Sequence, residues 1–209
     1  MTPTGRFISL EGIEGAGKST LARALEGALR ERGQNVLLTR EPGGSPLAER
    51  LRSLLLERGE ERITPQAETL LMFAARSLHI ENRIRPALQR GAWVICDRFT
   101  DATRAYQGAG RGVDAALIER LAQSVHAQLW PRRTLLLDLP VEQGLARARA
   151  RHGRGDRFED EERDFFERVR QRYLALAAEE PQRVRLIDAA AEPAQVLALA
   201  LAAMADLLA

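Results

Sequence analysis

Apolar residues along the chain fall into two alternating patterns. Short runs rich in Val, Ile and Leu occur at 6–10, 35–39, 92–96, 133–138 and 183–187. They lack strict polar alternation, which is the pattern of parallel strands covered on both faces. Between them lie longer stretches with helical spacing, at 18–32, 46–57, 65–90, 114–127, 141–150, 161–180 and 193–208. Local punctuation agrees. Thr64-Pro65 reads as an N-cap and first helical position, and Gly33 and Gly91 each follow a helical run where a C-terminal glycine belongs. Strand alternating with helix predicts an α/β fold, a five-stranded parallel sheet flanked by helices. With no internal repeat, linker or break in composition, residues 1–209 read as one domain.

Such a sheet binds ligands beyond the carboxyl ends of its strands, and polar signals collect there. Glu11 to Ser19 follows the first strand, Arg40-Glu41-Pro42-Gly43-Gly44 the second, and Asp97-Arg98 the third. Residues 12–19 read Gly-Ile-Glu-Gly-Ala-Gly-Lys-Ser, a complete G-x-x-x-x-G-K-[ST] phosphate-binding loop between a strand pattern and a helix pattern. That context predicts a P-loop NTPase fold that binds nucleotide phosphates with Mg²⁺. Nucleotide contacts are expected from Gly12, Ile13, Glu14, Gly15, Ala16, Gly17, Lys18, Ser19 and Thr20. Lys18 is placed to reach the β- and γ-phosphates and Ser19 to ligate Mg²⁺. Asp97 closes a buried strand, where an acid holds the same Mg²⁺ directly or through water, and Arg98 beside it can grip a phosphate in two-pronged fashion. The plainer alternative is an ion pair between these two neighbours.

Five arginines, Arg147, Arg149, Arg151, Arg154 and Arg157, are interrupted by Gly153 and Gly155. Over a nucleotide site, such a segment (about 147–158) behaves as a lid able to supply an arginine to the transferring phosphoryl group. The alternatives are a solvated basic face or a nucleic-acid patch. The acidic run Glu159-Asp160-Glu161-Glu162 and the lack of interleaved aromatics argue against the patch.

Composition narrows the classes further. Across 209 residues, 45% are hydrophobic, enough for a sizeable core. The net charge of +2 demands no nucleic-acid partner. Cys96 is the single cysteine and lies in an apolar run, so it reads as a small buried residue and no disulfide forms within the chain. The apolar stretch 194–209 is too short to span a membrane and carries Gln195 and Asp206, so it reads as a terminal helix on the core. A first strand by residue 6 leaves no room for a signal peptide, and a cytoplasmic location is expected. The guanine-reading N-K-x-D and D-x-x-G signatures are missing. From the residues alone, the reading stops at a small P-loop phosphotransferase.

Beyond that point the sequence resembles bacterial thymidylate kinases. The resemblance rests on Gly12–Thr20, Thr39-Arg40-Glu41-Pro42-Gly43-Gly44, Asp97-Arg98-Phe99, Ala105-Tyr106-Gln107-Gly108 and the arginine-rich lid, and runs from about residue 6 to the end. It implies the nucleoside monophosphate kinase fold, a homodimer, and ATP- and Mg²⁺-dependent phosphorylation of dTMP to dTDP. It also implies roles. Glu14 would sit near the deoxyribose 3′-hydroxyl, and Arg52 and Arg98 would hold the acceptor phosphate. Glu41 and Asp97 would lie around metal and phosphates, Arg76 would face thymine O4, Thr103 N3, and Tyr106 the sugar, with Gln107 beside the base. With no arginine inside Glu14-Gly15-Ala16-Gly17, the catalytic arginine is expected from the lid, Arg151 first and Arg149 second. The family's base-stacking Phe position is Met72 here, with Phe73 next to it, so either Phe73 stacks from a rotated position or Met72 forms part of the wall. The competing readings are a kinase of another nucleoside or monophosphate on the same fold, and a non-catalytic nucleotide-binding regulator.

Overall fold

A computed structural model describes residues 6–57, 61–151 and 162–208. Five strands, β1 (Phe7–Glu11), β2 (Val36–Arg40), β3 (Trp93–Asp97), β4 (Arg133–Asp138) and β5 (Val184–Asp188), form one parallel sheet in the order β2-β3-β1-β4-β5. The expected strands are all present, four of them shifted by one residue. Successive side chains point to opposite faces of a strand, and the core divides accordingly. Ile8, Leu10, Trp93 and Ile95 pack with Leu21, Leu25 and Leu29 of helix α1 (Lys18–Glu31). Phe7, Val94 and Cys96 face Ile80, Ile84 and Leu88 on the other side. Both faces are therefore apolar, as the unbroken Val/Ile/Leu runs require.

Register sets the site. Leu10 pairs with Asp97, and Asp97 pairs on its other side with Arg40. The chain segments leaving β1, β3 and β2 thus emerge side by side. α2 (Pro46–Leu56) and α3 (Pro65–His79) follow β2, and Thr64 caps α3 by accepting from the Ala67 N–H at 3.2 Å.

Three helical expectations are corrected. The run at 65–90 is α3, then a π-helical turn at Ile80–Ile84, then α4 (Arg85–Gln89). Pro86 lacks an N–H and its ring crowds the carbonyl four residues earlier, so the ladder widens there and the Arg85 N–H reaches Ile80 O. Residues 100–110, given no element by the sequence pattern, are helical: α5 (Thr100–Thr103) widens into a π-helix at Arg104–Gly110. Gly108 and Gly110 are poor helix formers. Tertiary packing holds the segment, since Gly110 lies so close to Phe165 and Val169 that a Cβ would crowd both. The C-terminal run breaks into α9 (Pro193–Ala202) and α10 (Ala205–Leu208), and Asp206 of α10 pairs with the buried Arg133. The remaining helices are α6 (Ala115–His126), α7 (Val141–Arg151) and α8 (Arg163–Glu179). Among the described residues, no helix is long and apolar enough to cross a membrane.

Candidate active site

The loop from Gly12 to Ser19 turns from β1 into α1 with Gly12, Gly15 and Gly17 at positive φ. Gly15 (φ +73) admits no side chain, because a Cβ would collide with the Gly144 carbonyl of α7. The loop is therefore laid directly on the helix that leads into the arginine-rich segment. Ile13 and Ala16 turn into the core, which leaves their backbone to serve a ligand, and Thr20 is exposed. Lys18 is buried and donates to Gly12 O at 3.0 Å and Ile13 O at 2.8 Å. Burial pulls its pKa down to about 8, with the nearby Arg98 charge adding to the effect. The Ser19 hydroxyl donates to Asp97 Oδ2 at 3.0 Å, so two hard oxygen donors stand together at the loop's edge. That donor set suits Mg²⁺.

Arg98 takes φ 72, uncommon for a side-chain-bearing residue. Bonds on both sides fix it: its own N–H donates to Leu10 O at 2.9 Å, and the Phe99 N–H donates to Glu11 Oε1 at 2.7 Å. The conformation brings the guanidinium onto Gly12 O (3.1 Å), Glu14 Oε1 (2.8 Å) and the Tyr106 hydroxyl (3.0 Å). Its centre also lies 4.5 Å from the Tyr106 ring centroid. Tyr106 donates to Glu14 Oε2 at 2.6 Å. Glu11 anchors the cluster from beneath, accepting from the Tyr173 hydroxyl of α8 at 2.7 Å. Burial, with the Asp101 charge, lifts Glu11 to about 8.

Opposite this cluster stands a buried chain of polar side chains. Glu41 accepts from Arg76 Nε at 2.6 Å through one oxygen and lies 3.0 Å from His79 Nδ1 through the other. Burial alone would raise Glu41, but the Arg76 charge and the His79 bond hold it below the usual carboxylate range. Arg76 Nη2 donates to Thr103 Oγ1 at 3.1 Å. Its Nη1 is buried and has no partner among the described residues. An unmatched buried cationic donor is costly, so this atom is able to serve a ligand acceptor. Gln107 donates to the fully buried Glu68 at 2.8 Å, and Glu68 in turn pairs with Arg111.

One cleft joins the two halves. Glu14, Gly15, Lys18, Ser19, Asp97 and Arg98 line it on the loop side, and Glu41, Arg52, Arg76, Thr103, Tyr106 and Gln107 on the other. Arg52 of α2 also donates to Pro42 O at 2.9 Å. Phe73 is not in the lining. Its ring lies under Arg76, 4.7 Å from the guanidinium, in a cluster with Ile118 and Ala122 of α6. Met72, with Phe99 and Leu56, forms the apolar wall instead. The helical angle of about 100° per residue separates adjacent positions, so only one of Met72 and Phe73 can face the cleft. Arg149 is exposed on α7, Arg147 is tied to Ala189 O at 2.9 Å, and Arg154 and Arg157 lie outside the described residues, as does the side chain of Arg151. Glu11, Glu68, His79 and Tyr173 were not anticipated as site residues. Tyr173 is 162 positions from Glu11 in sequence, and no local pattern announces such a pair.

Comparison with known proteins agrees with this architecture. The thymidylate kinase family matches residues 10–199. A thymidylate kinase from Ectopseudomonas mendocina (strain ymp) is 58% identical over 195 residues, covering 93% of this chain and 92% of that protein. One from Pseudomonas entomophila (strain L48) is 59% identical over 187 residues, covering 90% and 89%. The crystal structure of thymidylate kinase from Ehrlichia chaffeensis superposes with a TM-score of 0.73 at 34% identity, covering 88% of this chain and 92% of that one. A parallel sheet ending in a phosphate-binding loop, together with identity of this extent along nearly the whole chain, shows that the protein belongs to the thymidylate kinase family.

Proposed function

We propose that the protein transfers the γ-phosphoryl group of ATP to dTMP, giving dTDP, as a single P-loop kinase domain. The observation that carries the reading is a single cleft lined on one side by the phosphate-binding loop and on the other by Arg76 with a spare buried donor. A carbonyl oxygen such as thymine O4 matches that donor, and the Thr103 hydroxyl beside it suits a ring N3–H. Met72 and Phe99 supply the apolar wall.

Lys18 would exchange the two loop carbonyls for phosphate oxygens, and its charge counts most as negative charge shifts onto the transferring group. Arg98 and Arg52 would fix the acceptor phosphate, Glu14 and Tyr106 the sugar. Ser19 and Asp97 would hold Mg²⁺, which when bound offsets phosphate charge. The catalytic arginine would come from the lid, Arg151 first and Arg149 second. A homodimer is part of the reading. Its support is a row of exposed leucines on two adjoining helices: Leu47 and Leu54 of α2, seven apart and 47% and 48% exposed, and Leu70 of α3, 46% exposed. A cytoplasmic location goes with it. The test is ADP release with dTMP, dUMP, dCMP and thymidine as acceptors. dTMP is expected to give the highest kcat/KM, and a better rate with any other acceptor would overturn the assignment.

A further inference from the structure

We propose that His79 is a positioning residue for the acceptor half of the site, the post on which the Thr39–Gly44 segment and the Glu41–Arg76 pair are assembled. This rests on the reading of Arg76 as the group that meets the acceptor base. His79 ends α3, one helical turn after Arg76, and its side chain is fully buried. It does not line the cleft, so it acts on the acceptor only through its neighbours.

Three residues from the end of β2 and the loop that follows converge on this single ring. Nδ1 lies 3.0 Å from Glu41 Oε1, and Nε2 lies 2.7 Å from Thr39 Oγ1. The Gly44 backbone closes so tightly on the ring that a Cβ there would collide with Nε2 and Cδ2. An ionised Glu41 only accepts, so Nδ1 carries the proton and donates to it, and in the neutral ring Nε2 accepts from the Thr39 hydroxyl. Cys96 completes the surroundings. Its thiol donates to Arg98 O, and burial with the Glu41 charge pushes its pKa up, so it stays protonated. Glu41, His79 and Cys96 are thus saturated by protein partners and read as a scaffold, not as a metal site.

The consequence falls on Arg76. Glu41 offers Arg76 one oxygen because His79 holds the other. Without His79, the second oxygen is free to swing onto the guanidinium, since carboxylate and arginine favour a two-pronged bond. That movement draws the guanidinium from Thr103 and turns its spare donor away from the cleft. His79 therefore keeps the Arg76 donor available.

The experiment measures KM for dTMP, KM for ATP and kcat for His79→Leu, His79→Asn and His79→Gln, with Arg76→Ala alongside. Loss of a hydrogen bond to a charged group costs about 1.5–3 kcal/mol, so His79→Leu is expected to raise KM for dTMP about 10- to 100-fold. KM for ATP should hardly move. Asn carries an amide N–H near the Nδ1 position and should restore most of the dTMP affinity, whereas Gln reaches only towards Nε2 and should behave like Leu. If Leu fails to fold, the Asn–Gln pair carries the test alone. In a Glu41→Gln background the His79 effect should largely disappear, because both changes act through one bond. Equal rises in both KM values, indistinguishable Asn and Gln variants, or additive effects with Glu41→Gln would each overturn the proposal. If Arg76→Ala raises KM for dTMP and the His79 variants do not, the positioning role alone falls. If Arg76→Ala leaves it unchanged, the acceptor reading falls and takes this role with it.

Discussion

The two sides of the cleft are built by different means. The phosphate side is backbone: glycines at positive φ, a helix N-terminus, and two cations, Lys18 and Arg98, that both hydrogen-bond to the carbonyl of Gly12. The acceptor side is side chain on side chain, with His79, Glu41, Arg76 and Thr103 in one buried line and Gln107, Glu68 and Arg111 in another. The difference teaches where specificity resides. A backbone cradle accepts any polyphosphate, and Lys18 must leave its carbonyls to act. A buried side-chain network is costly to leave half satisfied, so it fixes the position of the Arg76 Nη1 donor, which has no partner among the described residues.

The largest effect is expected from Lys18→Ala. Removing a preorganised donor aimed at developing charge costs about 10²–10³ in rate. The fall should appear in kcat for every acceptor alike, and initial rates with dTMP and dUMP check this. A selective effect on one acceptor would mean that the two sides are not separate.

Tyr106→Phe comes next, since its hydroxyl lies where the two sides meet, bonded to Glu14 and Arg98. Deleting one hydrogen bond to charged partners is worth about 1.5 kcal/mol, so kcat/KM for dTMP should drop about tenfold. Titration with an ATP analogue should show binding nearly unchanged. Equal weakening of both substrates would place Tyr106 on the phosphate side.

A further effect falls on stability and not on rate, and concerns Glu11 beneath the loop. Its carboxyl is lifted from 4.5 to about 8 in the fold, so between those values the native state holds a proton that the unfolded chain has released. Its contribution to stability is full below 4.5 and is lost as pH rises through about 8. Glu11→Gln carries no such titration. The Tm of the parent chain minus that of the variant should therefore fall steadily from pH 5 to 8.5. A constant difference would mean that Glu11 stays ionised throughout.

The same division decides how much was legible in the sequence. The sheet was readable because buried parallel strands demand uninterrupted Val/Ile/Leu runs, and the phosphate-binding loop was readable because its geometry is local to residues 12–19. Arg76, Thr103, Tyr106 and Gln107 read from the residues only as groups able to bind a base and took their individual roles from the resemblance, and all four line the cleft. What supports them was not readable. His79 and Glu41 are 38 positions apart, Gln107 and Glu68 are 39, and Glu11 and Tyr173 are 162. Such pairs are created by β-register and helix packing, which no short pattern encodes. Phe73 is instructive in the other sense. An aromatic next to the expected position was an attractive stacking group, yet one step along α3 turns it into the α3–α6 contact and leaves Met72 facing the cleft. The helix at 100–110 was hidden for a related reason, Gly110 being packed against α8 and Gly108 against Ile118 of α6.

In the proposed reaction the spare Nη1 donor of Arg76 reads the acceptor base. The most direct measurement is the ratio of kcat/KM for dTMP to that for dCMP, in the parent chain and in Arg76→Ala. Cytosine presents an amino group where thymine presents O4, so it cannot accept from Arg76. A site built to hydrogen-bond its substrate rejects the mismatched analogue by at least about 10², and the parent chain should show such a preference. Arg76→Ala should bring the ratio down towards unity, mainly through loss of dTMP affinity. A ratio that survives the substitution intact would contradict the account.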